Sequence, residues 1–288
     1  MNKDIAKLFA KLFIARSDVK AIQRSSGAYN PTEDRDTQNK VIAKHGFTMQ
    51  DLLDHIESTR TYGHYLLNPD SQCKLFAFDI DLDELDPEKP NQNLMLPMQQ
   101  DESGQWSEFI LCNPRAIWLD RRYTAARNYL KYQMRSIANC IASVVHSEFE
   151  IQTAVTYTGA KGMHVYGFTG LLPAIDVREG AMYVLEKVGR FQPHLGSNFF
   201  KHETVTGGDG YAADELNHEQ SFQCFTVEVF PKQTEVKEGG YGNLMRLPLG
   251  VNLKNPADPT FFVDMRTALT DLRPRDAIEA LTTSNQWA

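Results

Sequence analysis

The stretch Phe76-Ala77-Phe78-Asp79-Ile80-Asp81-Leu82-Asp83 alternates apolar and acidic side chains. In a β-strand alternate side chains share a face, so Phe78, Ile80 and Leu82 point into a core while Asp79, Asp81 and Asp83 point the other way. Two carboxylates one strand period apart, over an apolar floor, repel each other unless cations neutralise them. Hard oxygen ligands on a rigid strand suit Mg²⁺ or Mn²⁺. The competing reading is a strand end with a solvated acidic face.

Upstream of this strand, residues 61–75 are already β-like, and TMQDLLDHIES (48–58) predicts a helix with Thr48 as N-cap. Residues 15–37 read as polar and irregular, and DIAKLFAKLFI (4–14) as a short amphipathic helix. Downstream, residues 84–106, rich in Pro, Gln, Asn and acid, read as a surface excursion outside the core. The longest helical pattern covers 115–147, begins after Asn113-Pro114, and is long enough to hold one break. Residues 151–168 read as strand, Gly-rich turn and strand; a helix is expected from about 176 to 188, with Asp176 and Glu179 at capping-box spacing. After a long polar loop at 192–222 come a strand at 223–230, a mobile loop to 243, a shorter β-like piece at 244–253 and a helical end at 261–281 interrupted at Pro274. Strands and helices so mixed predict an α/β (α+β) protein.

At 288 residues the chain can hold one large domain or two modest ones. Its 42% hydrophobic and 23% charged content excludes a disordered or fibrous protein. A net charge of −7 excludes coating of duplex DNA through overall charge, so any nucleic-acid contact needs a local basic surface. Cys73, Cys112, Cys140 and Cys224 are far apart with no CxxC pair, which predicts neither a zinc module nor a disulfide framework and fits a reducing, cytoplasmic setting. The first apolar run is broken by Ala10 and Lys11, so no signal peptide, membrane span or membrane partner is expected.

Two further segments carry chemistry. In Thr158-Gly159-Ala160-Lys161-Gly162-Met163-His164-Val165-Tyr166, two glycines around a lysine permit a tight turn that can approach an anion. Gly162, His164 and Tyr166 then share one strand face, and a His with a Lys there can hold a triphosphate; an ordinary glycine hairpin is the plainer alternative. In Val227-Glu228-Val229-Phe230-Pro231-Lys232-Gln233, Glu228 stands alone among apolar neighbours, costly to bury unless paired or metal-bound. Lys232, Asn243 and Arg246 add cationic and amide groups near the same end; the plainer alternative is an edge strand with one salt bridge.

Together these segments resemble the three signature motifs of the archaeo-eukaryotic primase superfamily, and most closely the compact primase-polymerases linked to CRISPR and other prokaryotic defence systems. The pattern is a DxD strand, a Gly-x-His strand, and E-x-F-P-K-Q followed by G-N-L-x-x-L-P-L. It spans most of residues 10–250, with LFIARSDVKAIQRSSGAYNP and GHYLLNPDSQCKLFAFDID leading into the first motif. The resemblance implies a catalytic core with an RRM-like antiparallel or mixed sheet flanked by helices. It implies a single catalytic domain over 1–288, divisible into an N-terminal α/β part (1–75 with parts of 84–147), an RRM-like part (76–83 and 151–250) and a helical tail (251–288).

The implied activity is template-directed nucleotidyl transfer, as a DNA or RNA polymerase or primase adding dNTPs or NTPs to a 3′-hydroxyl. Asp79, Asp81 and Glu228 would be the catalytic ligands of two Mg²⁺ or Mn²⁺ ions, ~3.5–4 Å apart in such sites. Lys161, Gly162, His164, Lys232, Asn243 and Arg246 would bind the nucleotide, and Asp83 would be a solvated neighbour. Many relatives carry serine where Gly162 stands, and many carry a zinc element or an extra C-terminal domain for initiation. De novo priming is therefore left open, as is whether this is the catalytic part of a longer protein. The expected partners are single-stranded DNA or RNA template, primer, nucleotides, and defence-system or replication proteins.

For the template, Arg121, Arg122 and Arg127 are candidates, within a run that also holds Arg115, Lys131 and Arg135 interleaved with Tyr123, Tyr129 and Tyr132. A solvated helix face explains the same run, and Arg16 to Arg24 is a second candidate. Two other functions stay open: a metal-dependent nuclease, which has no triphosphate to hold, and a catalytically degenerate nucleic-acid-binding module.

Overall fold

The computed structural model describes residues 2–82, 94–191, 201–202 and 225–285. Asp83 and nearly all of the expected 192–222 loop lie outside the described residues. Helix α1 (Asn2–Phe13) opens the chain and buries Ile5, Phe9, Leu12 and Phe13 along one stripe. Four short strands follow: β1 (Ala21–Gln23), β2 (Tyr29–Pro31), β3 (Glu33–Arg35) and β4 (Val41–Lys44). The polar 15–37 segment is thus strand-forming rather than irregular. These strands are three or four residues long, too short for an alternating pattern to show in sequence. Helix α2 (Met49–Ile56) begins where expected, with Thr48 and Asp51 forming a reciprocal capping box.

Then come β5 (Tyr62–Tyr65) and the long β6 (Gln72–Leu82). Next, β7 (Leu94–Gln100) and β8 (Trp106–Cys112) pair as an antiparallel hairpin, so the second half of the expected excursion is β-structure, with Leu96 fully buried. Pro97 is tolerated because the hairpin is a separate two-stranded sheet, in which both strands are edges. Helices α3 (Pro114–Leu119) and α4 (Thr124–Phe149) realise the long helical pattern with one break; Asn113 caps α3 with Pro114 in its first turn.

Strands β9 (Thr153–Tyr157) and β10 (Gly162–Pro173) flank the glycine turn, and α5 (Ala174–Phe191) follows directly. Because α5 starts at Ala174, Asp176 lies within its first turn, where an acid favours the helix dipole, and is not its cap. The chain continues through β11 (Lys201–His202), β12 (Phe225–Phe230), β13 (Leu244–Arg246) and β14 (Phe261–Phe262) to α6 (Ala277–Ser284). The expected helix at 261–281 is confined to this last piece. Arg135 drives its guanidinium into the preceding turns and donates to the carbonyls of Ala268 (2.8 Å) and Asp264 (3.2 Å), which organises them as loop.

Two sheets carry the architecture. The larger runs β11-β12-β6-β10-β9-β14, antiparallel except for β11 against β12; the smaller runs β13-β5-β1-β2. Helices α4 and α5 back one face of the larger sheet, packing against β10 and β6. On the opposite face Phe13 of α1 packs edge-on against Tyr166 and Phe168, at 5.3 and 5.1 Å between ring centres. That contact covers only the part of the face beyond His164. The strip bearing Asp79, Asp81 and His164 instead lines a cavity. This mixed α/β arrangement of antiparallel sheets flanked by helices is the fold class the sequence predicted.

Candidate active site

Strand register brings the three motifs together. Asp79 of β6 pairs with His164 of β10 on one side and with Glu228 of β12 on the other. One strand period on, Asp81 pairs with Gly162 and Thr226. Directly paired residues present their side chains on the same face, so Glu228, Asp79 and His164 form a row across three adjacent strands, with Asp81 beside it. Phe78, Ile80, Val227 and Val229 alternate to the buried side.

Each carboxylate has a basic neighbour. His164 Nε2 lies 3.2 Å from Asp79 Oδ1, Lys161 Nζ lies 3.5 Å from Asp81 Oδ2, and Lys232 Nζ meets Glu228 Oε2. Burial alone would raise the Asp79 carboxyl, but the attraction of His164, with Lys232 and Arg246 behind it, holds it below the usual carboxylate range. Asp81 is pushed up to about 6, by burial first and then by the charge of Asp79, with Lys161 offsetting part of it. Among the described residues no group of three or more His, Cys, Asp and Glu side chains is gathered closely enough to hold a metal ion.

Gly162 is required by this packing: a Cβ there would stand 2.2 Å from Asp81 Oδ1 and 2.4 Å from the Ile80 carbonyl. The hydroxyl of Tyr166 lies 2.6 Å from His164 Nδ1. Burial keeps that phenol protonated, and its contact with Nδ1 fixes the imidazole ring with Nε2 toward Asp79.

The glycine turn is held from three directions, which the sequence reading missed. The carbonyl of Thr158 accepts from Arg246 Nη2 (2.6 Å) and that of Gly159 from Asn255 Nδ2 (3.1 Å). The Ala160 carbonyl accepts from Trp118 Nε1 (2.8 Å) and Tyr157 Oη (2.9 Å). With these acceptors tied off, the turn is rigid and presents Lys161 beside Asp81. Trp118, Tyr157 and Asn255 lie in a short helix, a strand and a loop, with no local motif to mark them.

Above the row opens a cavity of about 730 Å³ whose wall includes Asp79, Asp81, Lys161, His164 and Arg246. Arg115, Arg121, Arg127 and Lys254 also line it, so an acidic protein has a locally basic cleft. Of the template candidates, Arg121 lines the cavity and pairs with Asp258 at 3.4 Å, and Arg127 lies over the Trp118 ring at 6.0 Å. Arg122 turns away to Asp120 at 2.7 Å. Arg135 is fully buried, and Arg16 and Lys20 are buried against Asp18 and Asp51, so these three are framework cations rather than template contacts. Glu228 and Lys232 sit at the end of the row, outside the cavity wall. Asn243 accepts from the Gln233 backbone N–H at 2.6 Å, which shapes the loop after the third motif.

Residues 4–203 match the archaeo-eukaryotic primase domain of the TOTE conflict system. The chain belongs to this family, as its first two motifs suggest; the third motif lies beyond the matched residues. Membership supports an activity of the nucleotidyltransferase type. No curated protein matches the chain. Among solved structures it is similar to the polymerase domain of Mycobacterium tuberculosis ligase D in complex with DNA. That likeness has a TM-score of 0.44 and 11% identity, and covers 97% of this chain and 86% of that one. No helix among the described residues is long and apolar enough to cross a membrane.

Proposed function

We propose that the protein is a template-directed nucleotidyltransferase, a primase-polymerase that joins nucleotides from dNTPs or NTPs to a 3′-hydroxyl. The observation that carries this is the row Glu228–Asp79–His164 set by register across three strands, with Asp79 and His164 lining a cleft rich in Arg and Lys. The family is generally dependent on divalent metal. The donors here suit one: the buried Asp79 Oδ1 has His164 Nε2 beside it at 3.2 Å, and burial first, then the charge of Asp79, pushes the Asp81 carboxyl up. A hard dication would relieve that repulsion. Asp79, Asp81 and Glu228 are the residues that would hold Mg²⁺ or Mn²⁺, which when bound supplies Lewis-acid activation of the 3′-hydroxyl and neutralises the pyrophosphate leaving group.

The remaining work falls to the chain's own side chains. His164, with its ring fixed by Tyr166, and the Lys161 ammonium on its braced turn contact the triphosphate. Arg246 adds a forked cation anchored at Thr158, and Lys232 a point charge at the Glu228 end. Asn243 supports this end through the 233–243 loop. Arg121 and Arg127 guide the template strand along the cleft. The setting proposed is a conflict system, in keeping with the family's designation, in the cytoplasm.

The test is direct. Purified protein is incubated with a single-stranded template, Mn²⁺ and labelled dNTPs or NTPs, with and without primer. Products of discrete added length are expected, and Asp79→Ala and Asp81→Ala should each abolish them with circular dichroism unchanged. Full activity in either variant would remove the site, and a shortened template with no new product would make the protein a nuclease.

A further inference from the structure

Buried polar atoms left without a hydrogen-bond partner are scarce in folded proteins, and a cluster of them calls for an explanation. Among the described residues, three such atoms belong to side chains that line the cavity above the catalytic row: Tyr29 Oη, Arg127 Nε and Arg246 Nη1. Two are donors fixed by the smaller sheet. Tyr29, on β2, lays its ring against Gly63 of β5, where a Cβ would stand 3.0 Å from the ring. Arg246, on β13, is paired across from that same Gly63. Its Nη2 is tied to the Thr158 carbonyl, which holds the guanidinium at the cavity wall with Nη1 unpaired.

We infer that Tyr29 is a further nucleotide-binding residue, whose hydroxyl and Arg246 Nη1 together donate to phosphate oxygens of the bound nucleoside triphosphate. The inference rests on the reading of Lys161 and His164 as the triphosphate site and extends that site to the smaller sheet. A neutral donor beside a fixed cation fits an oxygen-rich anion better than a nucleobase edge or a sugar hydroxyl. Burial keeps the Tyr29 phenol protonated, with Arg246 opposing too weakly to reverse it, so it can only donate to an anion. No motif marks Tyr29, which stands about 50 residues before the acidic strand.

The test compares equilibrium binding of dATP, tripolyphosphate and deoxyadenosine to wild type, Tyr29→Phe and His164→Ala, with Mg²⁺ present. Tyr29→Phe removes one oxygen and leaves the ring in place, so its melting temperature should match wild type. It should weaken dATP and tripolyphosphate alike by about 10-fold, leave deoxyadenosine unchanged, and raise the KM for dATP in primer extension with kcat within about twofold. Unchanged tripolyphosphate affinity, a kcat loss at constant KM, or a fall in melting that accompanies the loss of binding would overturn it. If His164→Ala loses triphosphate affinity while Tyr29→Phe keeps it, the triphosphate site stands and Tyr29 falls. If neither variant changes affinity, both fall.

Discussion

At the scale of single residues, Asp81 is held at a disadvantage, because burial strips its water while Asp79 stands one strand period away and Lys161 at 3.5 Å compensates only in part. Its carboxyl, ordinarily at 3.8, is raised to about 6. A folded-state value above the unfolded one favours the protonated form, so this contribution to stability is complete below about 3.8 and is lost as pH rises through about 6. In EDTA, Asp81→Asn should therefore melt above wild type at pH 7–8, with the gap closing toward pH 4. Parallel melting curves across that range would refute the repulsion. Asp79 and Asp81 were legible as candidates because alternation alone puts both on one face. Tyr29, Trp118 and Asn255 were not, since each acts through a partner more than 25 residues away in sequence.

Among elements, the decisive feature is the pairing of β6 with β10 and β12. The sequence shows three strands each carrying one polar signature, but hydrophobic pattern fixes only which face a residue takes, not how far one strand slides along its neighbour. The observed register sets His164 and Glu228 opposite Asp79 and leaves Gly162 opposite Asp81. Gly162→Ala tests this at its tightest point, since the new methyl would stand 2.2 Å from Asp81 Oδ1. The expected result is a loss of at least about 10-fold in primer extension, close to 1.4 kcal/mol of barrier, with nucleotide affinity less affected. An alanine variant of full activity would show that the two strands are not held at this spacing. The β7–β8 hairpin escaped the sequence reading for the opposite reason: proline and amide side chains usually mark loops, and a free-standing hairpin has edges that tolerate them.

Across the whole molecule, one contiguous core joins α1, the larger sheet, α4, α5 and α6, so the acidic row rests on a platform of packed apolar side chains. Chelation should accordingly stop nucleotide addition while changing the melting temperature little, and readdition of Mn²⁺ should restore activity without a refolding lag. Unfolding on chelation would mean that the ions are structural. Composition, motif chemistry and strand periodicity sufficed for a mixed α/β protein with an acidic pair, a Lys-Gly-x-His turn and a lone Glu, because these depend on residue type and on the two-residue strand repeat. Only the tertiary structure decided which cations face the cleft and which, like Arg135, are spent inside the framework. It also decided that Tyr29 and Arg246 flank one cavity with the acidic row, and that α1 stops short of Asp79. Those outcomes depend on register and on packing between distant segments, and a local pattern carries no record of either.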